Sequence, residues 1–318
     1  MWKTQPFHFD GFDTHLARLE DKKSRLDALR PIPAAALENI QNSLALEWTY
    51  HSNSIEGNTL TLQETKLVVQ DGLTIKGKSL REHFEAVNHH EAVAFLESLV
   101  SEKERNMTAV DVLEVHALVM DKIEKAFAGR YRNAGVRISG ANFVSPNALK
   151  VPELMDELLE WVHAPDAQLP IAVKAAIFHH RFVWIHPFFD RNGRTARLLF
   201  NLLLMKRGFP PAIILKNDRK KYYDALNKAN AGHYGKLVLL VFQALERTLD
   251  IYLSNLLDRY EDYQSISDIV SEPDVPYGQE YVSLLARRGK IDAFKEGRNW
   301  LTSKEAVLAY RDGRTRKR

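Results

Sequence analysis

The sequence predicts a mostly α-helical protein that ends in a small module of mixed helix and strand. Apolar residues recur with helical periodicity from about residue 35 to residue 257, and loops rather than low-complexity tracts interrupt them. Proline-rich breaks at 208–211 and 271–276 stop the pattern. With 318 residues, of which 45% are hydrophobic and 27% charged, the chain is long enough for two or three units that each bury a core.

The N-terminal third, residues 1–106, is expected to form a helical region. Thr61 and Glu64 are spaced as a capping box, in which a hydroxyl and a carboxylate satisfy the free amides at a helix start. A helix should therefore begin just after Thr61. The helices predicted in this region lie near residues 37–55, 62–71 and 82–99.

The segment 186–197, HPFFDRNGRTAR, lies between two apolar stretches at 171–185 and 198–205 that are typical of buried helices. His186 can serve as a general base near neutral pH. Asp190 is a natural Mg²⁺ ligand beside polyphosphate oxygens. The segment therefore combines a base and a hard-metal ligand between two elements of the core.

The same segment can also bind an anion. Asn192-Gly193 supplies a turn, and a helix that begins there presents unpaired amides to a negative charge. Arg194 and Arg197 would share one face of that helix, and each can bind a phosphate through two hydrogen bonds. Taken singly, these pieces are also typical of ordinary loops, turns and solvated helix faces. As an ordered set they predict a nucleotide-phosphate site.

This order of residues resembles the signature of the Fic family, His-Pro-Phe-x-(Asp/Glu)-Gly-Asn-Gly-Arg-x-x-Arg, and matches it at every specified position but one. The resemblance implies a helical catalytic core, at residues 107–257, that uses ATP and Mg²⁺ to move AMP onto a Ser, Thr or Tyr hydroxyl of a target protein. The departure is Arg191, where the family usually has glycine. Glycine would allow a positive φ and a close backbone approach to phosphate. The arginine puts that geometry in question or adds a phosphate contact.

The resemblance also assigns roles within the site. His186 would deprotonate the target hydroxyl, and Asp190 would be the Mg²⁺ ligand. Asn192 and the neighbouring amides would hold the α-phosphate, while Arg194 would contact the β-phosphate and Arg197 the γ-phosphate. The full set of ATP-binding residues that it implies is Ile138, Ser139, Gly140, Ala141, Asp190, Arg191, Asn192, Gly193, Arg194, Thr195, Ala196, Arg197, Tyr222, Tyr223 and Asn230.

Two further segments extend the resemblance. Residues 129–141 are similar to the family's lead-in to a β-hairpin flap, which aligns the target's side chain by strand-like pairing. On spacing alone, an ordinary surface hairpin is the alternative. Tyr222, Tyr223 and Asn230 match positions that line the adenine and ribose pocket of the family. Without the resemblance, the two tyrosines are typical of a buried helix face.

An acidic residue upstream completes the predicted site. Ser52 and Glu56 are four apart, hence on one face of a helix that Gly57 can end. Residues 52–57 resemble the inhibitory motif of the Fic family, (Ser/Thr)-x-x-x-Glu-(Gly/Asn). The resemblance implies that Glu56 pairs with Arg197 and occupies the place of the γ-phosphate, so that ATP binds in a non-productive pose.

The last module, residues 265–318, has a pattern of its own. A short helix at 282–289 is followed by two segments, 291–295 and 299–301, that can pair as a hairpin, and a capping box at 302–305 opens a final helix to about residue 311. These features resemble a winged helix-turn-helix of the excisionase type, which would offer a helix and a wing to DNA. A solvated basic tail with a protein-docking role is the alternative.

Charge supports a local anion-binding role for this module. From residue 286 to the end there are eleven lysines and arginines against four acidic residues, a net charge of +7, although the whole chain carries only +3. The rest of the chain must therefore carry −4. Such an asymmetry predicts nonspecific binding of a polyanion better than it predicts sequence readout.

Composition excludes several other classes of protein. The chain has no cysteine, which rules out disulfides and cysteine-based metal sites. Its apolar runs are shorter than the ~18 residues that a spanning helix needs, and residues 1–13 lack the apolar run of a signal peptide. We therefore expect a cytoplasmic protein without a membrane partner. The sequence does not fix the oligomeric state, and a homodimer is one alternative.

The function predicted from the sequence is Mg²⁺-dependent protein adenylylation held off by Glu56. Two alternatives stay open. In the first, the same site runs in reverse and Glu56 orients a water that hydrolyses AMP from a modified protein. In the second, the chain is a DNA-binding regulator whose Fic-type core senses nucleotide.

Overall fold

The computed structural model of the chain describes residues 12–102, 105–138, 143–164, 169–256, 263–296 and 298–315. These residues are mostly helical, which confirms the predicted fold class, and their strands form a small antiparallel sheet. The α-helices are α1 (Asp13–Ala28), α2 (Ala34–Ile55), α3 (Leu62–Gln70), α4 (Leu80–Ser101), α5 (Ala109–Met120), α6 (Val151–His163), α7 (Ile171–Ile185), α8 (Asn192–Met205), α9 (Arg219–Ala229), α10 (Gly235–Leu256), α11 (Ile266–Ile269), α12 (Gln279–Arg287) and α13 (Lys304–Thr315). The strands are β1 (Gln264–Ser265), β2 (Ala293–Glu296) and β3 (Asn299–Thr302).

Packing groups the described residues into two compact units. The first unit runs from residue 41 to residue 245 and contains the predicted site. The second unit combines residues 12–40 with residues 246–315. The three-part division into 1–106, 107–257 and 265–318 was made from motifs, and it stays a prediction.

Capping boxes fix the starts of three helices in the first unit. The Thr61 hydroxyl accepts a hydrogen bond from the Glu64 amide at the start of α3, and the Glu64 carboxylate accepts one from the Thr61 amide. The predicted capping box is thus confirmed. Ser79 and Glu82 do the same for α4, as does the pair at the start of α5. Each box satisfies two backbone donors that a helix start leaves unpaired.

The central helices of the first unit are α7 and α8. Nearly every residue of both is buried, and these include the polar residues of the first two turns of α8. α4 and α5 pack against α8, while α6 packs against α7. The loop at 186–191 therefore joins two fixed helices, and its side chains are positioned from both ends.

The second unit contains the small sheet. β3 lies between β1 and β2 and is antiparallel to both. Phe294 pairs with Leu301 and Glu296 pairs with Asn299, so the hairpin predicted in this module is confirmed. The predicted short helix begins three residues earlier than expected, as α12, and Gly289 follows its end with φ +61°. α11, α12 and α13 surround a core formed by Ile266, Ile269, Val275, Val282, Leu285, Ala286, Ile291, Ala293 and Val307.

The capping box predicted for the final helix is wrong by one residue. Ser303, and not Thr302, caps α13, because the Ser303 hydroxyl accepts from the Ala306 amide at 3.2 Å. Thr302 is the last residue of β3, and its hydroxyl donates to the Asp292 carbonyl at 2.7 Å. Because the strand extends through Thr302, the helix begins one residue later than predicted, and Ser303 takes the N-cap position.

The predicted flap shows no strand in the residues that the structure describes. Residues 131–138 and 143–147 are irregular, and the hydrogen bonds that join the two arms come from side chains, the Ser145 hydroxyl to the Val136 carbonyl at 3.3 Å and Arg132 to the Pro146 carbonyl at 2.6 Å. Residues 139–142 lie outside the described part of the chain. The hairpin itself therefore stays a prediction. Of the helices in the described residues, none combines the length and the apolar character needed to cross a membrane.

Candidate active site

His186 follows the end of α7 and adopts a left-handed backbone conformation, with φ 54°. Its Nδ1 lies 3.2 Å from the carbonyl oxygen of Val183. Because a carbonyl can only accept, Nδ1 carries the proton and Nε2 is left as the basic atom. Burial lowers the pKa of His186, so that the imidazole is neutral near neutral pH. This is the protonation state that a general base requires.

The loop after His186 is closed by Asn192. The Asn192 side chain accepts from the Phe188 amide at 2.9 Å and donates to the Phe188 carbonyl at 2.8 Å. The Phe188 ring in turn stacks on His116, with 3.6 Å between ring centres. Since the side chain of Asn192 is engaged in the loop, the α-phosphate contact predicted for this residue would have to come from backbone amides.

Arg132 ties the segment before the predicted flap to the same loop. Its buried guanidinium donates to four carbonyl oxygens, those of His186 (2.8 Å), Ala134 (2.9 Å), Pro146 (2.6 Å) and Ile185 (3.4 Å). Its backbone amide donates to Pro187 at 2.9 Å. One side chain thus holds both arms of this segment against the residue predicted to act as the base.

The start of α8 forms the floor of the site. Gly193 lies so close to Glu56 that an added Cβ would collide with the Glu56 carboxylate. Thr195 donates its hydroxyl to the Arg191 carbonyl at 3.0 Å, and Ala196 is fully buried. The side chains of Thr195 and Ala196 are therefore used within the protein and do not face a ligand. What this end of α8 offers to an anion is its backbone amides and its arginines.

The predicted pairing of Glu56 with Arg197 is present. Arg197 Nη2 lies 2.7 Å from Glu56 Oε1 and 2.9 Å from the Ser52 carbonyl, while Nε donates to the Ser52 hydroxyl at 3.1 Å. The Tyr223 hydroxyl donates to the other Glu56 oxygen at 3.3 Å. Glu56 follows the last residue of α2, and Gly57, with φ +98°, turns the chain away, as predicted. The carboxylate of Glu56 thereby lies at the N-terminus of α8, where the helix dipole favours a negative charge.

Both partners are held in their charged forms. Burial opposes the charge on Glu56, but Arg197 and Arg194 outweigh it and lower the pKa of the carboxyl below its ordinary value. Burial likewise opposes the charge on Arg197, yet Glu56 raises its pKa. The Glu56 side chain is 25% exposed and that of Arg197 only 2%. An anion that enters from solvent would therefore meet Glu56 first.

The tyrosines lie beside this pair. Tyr222 is buried, and its hydroxyl lies 2.8 Å from His179 Nε2 and 3.3 Å from Arg197 Nη1. Asn230 Oδ1 lies 2.8 Å from His180 Nε2. Tyr222 and Tyr223 thus border the acidic residue and the arginine, while Asn230 is fixed by a histidine of α7. Their predicted role around adenine and ribose stays a prediction.

A second buried carboxylate, Glu85 of α4, was not identified from the sequence. It lies 3.1 Å from Arg194 Nη2 and 2.7 Å from Arg191 Nη2. Arg194 Nε also donates to the Asn53 side chain at 2.7 Å. Asn53 belongs to the segment identified as inhibitory, but its own role was not foreseen. Arg194 is therefore held by two side chains from two helices.

Asp190 is bound by arginines on both sides. Its Oδ1 accepts from the Arg191 amide at 2.7 Å, and its Oδ2 lies 2.8 Å from Arg191 Nη1 and 3.2 Å from Arg81 Nη2. Half of the Asp190 side chain is exposed. Arg191 has φ +61° and so adopts the conformation for which the family uses glycine.

The flap residues predicted to bind ATP are only partly described. Ile138 is half-buried, and Ser139, Gly140 and Ala141 lie outside the described residues. The site residues that were not identified from the sequence lie close to the loop in the fold but far from it along the chain. His116 is one of them, since its Nε2 lies 3.2 Å from the Asp190 carbonyl. A polar residue on an apolar helix face is a signal that could have singled out His116, whose neighbours on α5 include Val112 and Val119. The helix neighbours of Glu85 and Asn53 are mostly polar, so the sequence offered no such signal for them.

A family model described as Fic/DOC matches residues 106–204, which include the whole loop and most of α8. A protein named protein adenylyltransferase Fic from Nematostella vectensis is 36% identical over 241 residues, which are 76% of this chain and 56% of that protein. The chain therefore spans about half the length of this curated relative. A protein of the same name from Aedes aegypti is also 36% identical, over 74% of this chain and 47% of its own.

The fold agrees with this similarity. The structure of residues 134–508 of Fic-1 from C. elegans matches with a TM-score of 0.70 and 33% identity, and the match covers 76% of this chain and 71% of that one. The architecture and the loop between α7 and α8 define a Fic-type helical protein. The chain belongs to the Fic/DOC family.

Proposed function

We propose that this chain transfers AMP from ATP to a Ser, Thr or Tyr hydroxyl of a target protein, and that Glu56 holds this activity down. The observation that carries the proposal is the 2.7 Å ion pair between Glu56 and Arg197 at the N-terminus of α8, in the same site as His186. A base, two buried guanidinium groups and a helix N-terminus together suit a polyphosphate. The name of the relatives, protein adenylyltransferase, supplies the type of reaction.

In the proposed reaction, His186 Nε2 removes the proton from the target hydroxyl. The oxygen forms a bond to the α-phosphorus of ATP, and the bond from that phosphorus to pyrophosphate breaks. The products are the AMP ester of the target and pyrophosphate. Arg194 and Arg197 would bind the charge that develops on the departing phosphates.

Asp190 fits the Mg²⁺ that this reaction would require. Its carboxylate is half-exposed at the end of the loop, and Mg²⁺ at nucleotide sites commonly uses one or two carboxylates together with phosphate oxygens. When bound, the ion would neutralise part of the phosphate charge. Asp190 and the nucleotide would hold it together.

The proposed brake follows from competition for Arg197. A phosphate that is to pair with Arg197 must displace the carboxylate of Glu56. Arg197 is nearly fully buried, so its exchange of partners is costly unless the new anion is equally well placed. ATP would then bind with its γ-phosphate elsewhere and with its α-phosphorus turned away from the attacking hydroxyl.

The direct test is to incubate Glu56→Gly protein with ATP, Mg²⁺ and a cell extract, and to read intact masses and labelled bands. An increment equal to one AMP on the chain or on a second protein is expected. The control is the same variant with His186→Ala, in which the increment should disappear. If a pre-labelled protein instead loses AMP, and loses it faster with wild-type protein than with Glu56→Gly, the reverse reaction is favoured. The absence of both reactions would exclude both enzymatic proposals.

We further propose DNA as a partner of the second unit. Exposed arginines and lysines at the end of α12 and around the β2–β3 hairpin support this, namely Arg287, Arg288, Lys290, Lys295 and Arg298. Acidic neighbours are engaged elsewhere, since Asp292 pairs with Arg25 at 3.2 Å and Glu272 pairs with Lys304 at 2.7 Å. Helix, hairpin and charge together suit a phosphate backbone.

A further inference from the structure

Arg191 stands where glycine is usual in the family, and its side chain is almost fully enclosed, at 5% exposure. The two ends of its guanidinium contact two different carboxylates. Nη1 lies 2.8 Å from Asp190 Oδ2, and Nη2 lies 2.7 Å from Glu85 Oε1. The side chain is therefore an internal bridge between the loop and α4.

The other end of the bridge is firmly held. Glu85 is 8% exposed, and its second oxygen accepts from Asn58 at 3.0 Å and lies 3.1 Å from Arg194 Nη2. A buried carboxylate with several donors has little freedom to move. Glu85 therefore fixes the position of the Arg191 guanidinium, and does so through contacts that do not depend on Asp190.

Arg191 is poorly placed to bind phosphate. Both of its terminal nitrogens face carboxylates, and its buried Nε has no hydrogen-bond partner among the described residues. The positive φ that glycine adopts freely is also imposed on a side chain that resists it. The two ion pairs offset that conformation, which gives the arginine a reason to be there other than the nucleotide.

The carboxylate at the near end of the bridge is the one proposed to bind Mg²⁺. One of its oxygens faces two guanidinium groups, those of Arg191 and Arg81, and the other accepts from the Arg191 amide. A fixed positive charge within 3 Å of a carboxylate oxygen repels a divalent cation that approaches the same oxygen.

We infer that Arg191, tethered by Glu85, is a built-in cation that competes with Mg²⁺ for Asp190 and so sets how tightly the nucleotide complex holds its metal. This rests on the proposed function, because it assumes that Asp190 binds the metal of ATP. Glu85 is then a positioning residue: its ion pair with Arg191 neutralises part of the positive charge that would otherwise act on Asp190. Removal of Arg191 and removal of Glu85 should therefore change the metal affinity in opposite directions.

The test measures Mn²⁺ binding in the absence of turnover. Full-length Glu56→Gly protein is saturated with an ATP analogue whose α,β-bridge is methylene, and free Mn²⁺ is followed by electron paramagnetic resonance. Arg191→Gly should bind Mn²⁺ about tenfold more tightly, which corresponds to ~1.4 kcal/mol. Arg207→Gly removes an exposed arginine beyond the far end of α8, and it should leave the affinity unchanged.

Glu85→Gln should change the Mn²⁺ affinity in the opposite direction. It should weaken Mn²⁺ binding severalfold, because Arg191 then keeps Asp190 as its carboxylate partner, and the effect should vanish in the Arg191→Gly background. If Glu85→Gln fails to fold, the comparison of Arg191→Gly with Arg207→Gly still decides, since glycine suits the φ at position 191. Equal or weaker Mn²⁺ binding by Arg191→Gly overturns the inference. So does a tenfold loss of metal-free analogue binding, which would make Arg191 a phosphate ligand.

The outcomes for this inference and for the proposed function are separable. AMP transfer by Glu56→Gly together with unchanged Mn²⁺ affinity in Arg191→Gly overturns the inference alone. The predicted shift in Mn²⁺ affinity without any AMP transfer supports the inference and overturns the proposed reaction.

Discussion

At the scale of single residues, the site is a set of buried arginines that are each matched by a carboxylate. Arg197 pairs with Glu56, and Arg194 and Arg191 share Glu85. Breaking a buried pair by removing one partner commonly costs 3–5 kcal/mol, because the remaining charge is left without compensation. The carboxylates are therefore as important to the shape of the site as the arginines that would contact phosphate.

His186→Ala should abolish AMP transfer in the Glu56→Gly background and leave nucleotide affinity nearly unchanged. The reason is that the imidazole acts on the incoming hydroxyl and not on ATP, and general-base catalysis commonly contributes 10²–10⁴-fold. Initial rates with radiolabelled ATP and equilibrium binding of the methylene analogue are the two measurements. Residual transfer above about 1% would contradict the assignment of His186 as the base.

The pH dependence of transfer should follow the neutral form of His186. Burial lowers the pKa of His186 below its ordinary value of 6.5, and only the unprotonated imidazole can accept a proton. The kcat/KM of Glu56→Gly protein should thus be constant near neutral pH and fall on the acid side with an apparent pKa below 6.5. An acid limb centred above that value would show that a different group is the base.

At the scale of elements, the loop between α7 and α8 depends on a contact from outside those helices. Arg132 donates to the Ala134 and Pro146 carbonyls, which lie in the two arms of the predicted flap segment, and to the His186 carbonyl in the loop. These hydrogen bonds leave from three separate nitrogens of one planar guanidinium, Nε, Nη1 and Nη2, whereas the donors of a lysine all sit on a single nitrogen. The stability of this segment and the position of His186 therefore depend on the same side chain.

Arg132→Lys should lower the free energy of unfolding by about 2–3 kcal/mol, since hydrogen bonds from charged groups are worth ~1.5–3 kcal/mol each and a lysine can keep only some of them. Urea denaturation followed by far-UV circular dichroism measures the loss. Arg130→Lys is the matched control, because Arg130 is exposed two residues earlier and should behave as wild type. Equal stability of the two variants would show that the Arg132 contacts are dispensable.

The hairpin of β2 and β3 and the end of α12 should bind duplex DNA through phosphates, with affinity that falls steeply as salt rises. Charge reversal at Arg287 and Arg288 should reduce binding about equally on unrelated sequences. A mobility-shift titration at several salt concentrations measures this, with Lys66→Glu and Lys76→Glu together as a control of equal charge in the first unit. A lack of any shift at low salt would leave protein docking as the role of the module.

At the scale of the whole molecule, sequence reasoning succeeded where the signal is local. The helix predicted at 171–185 is α7, the capping box at Thr61 is present, and the pairing of Glu56 with Arg197 follows from the family resemblance. The helix and the capping box depend on periodicity and caps, which act over a few residues. The ion pair joins residues 141 positions apart, and the family motif, rather than any local signal, predicted it.

The rest depends on contacts between distant parts of the chain. Glu85 and Arg191 are 106 residues apart, and nothing in either neighbourhood shows that α4 crosses beside the loop. The first helix is a second case, because Arg18 and Lys22 of α1 pair with Glu246 and Asp250 of α10 in the second unit, 228 residues away. Tertiary packing decides such pairs, and a single sequence does not record it.

The account as a whole rests on the competition between Glu56 and phosphate for Arg197. The most direct measurement compares initial rates of AMP incorporation from α-labelled ATP by wild type, Glu56→Gly, and Glu56→Gly with Arg197→Ala, at equal ATP. Glu56→Gly should exceed wild type at least about tenfold, as loss of a partly buried ion pair implies, and Arg197→Ala should remove most of that gain. Equal labelling by wild type and Glu56→Gly, at matched folding and nucleotide occupancy, would contradict the account.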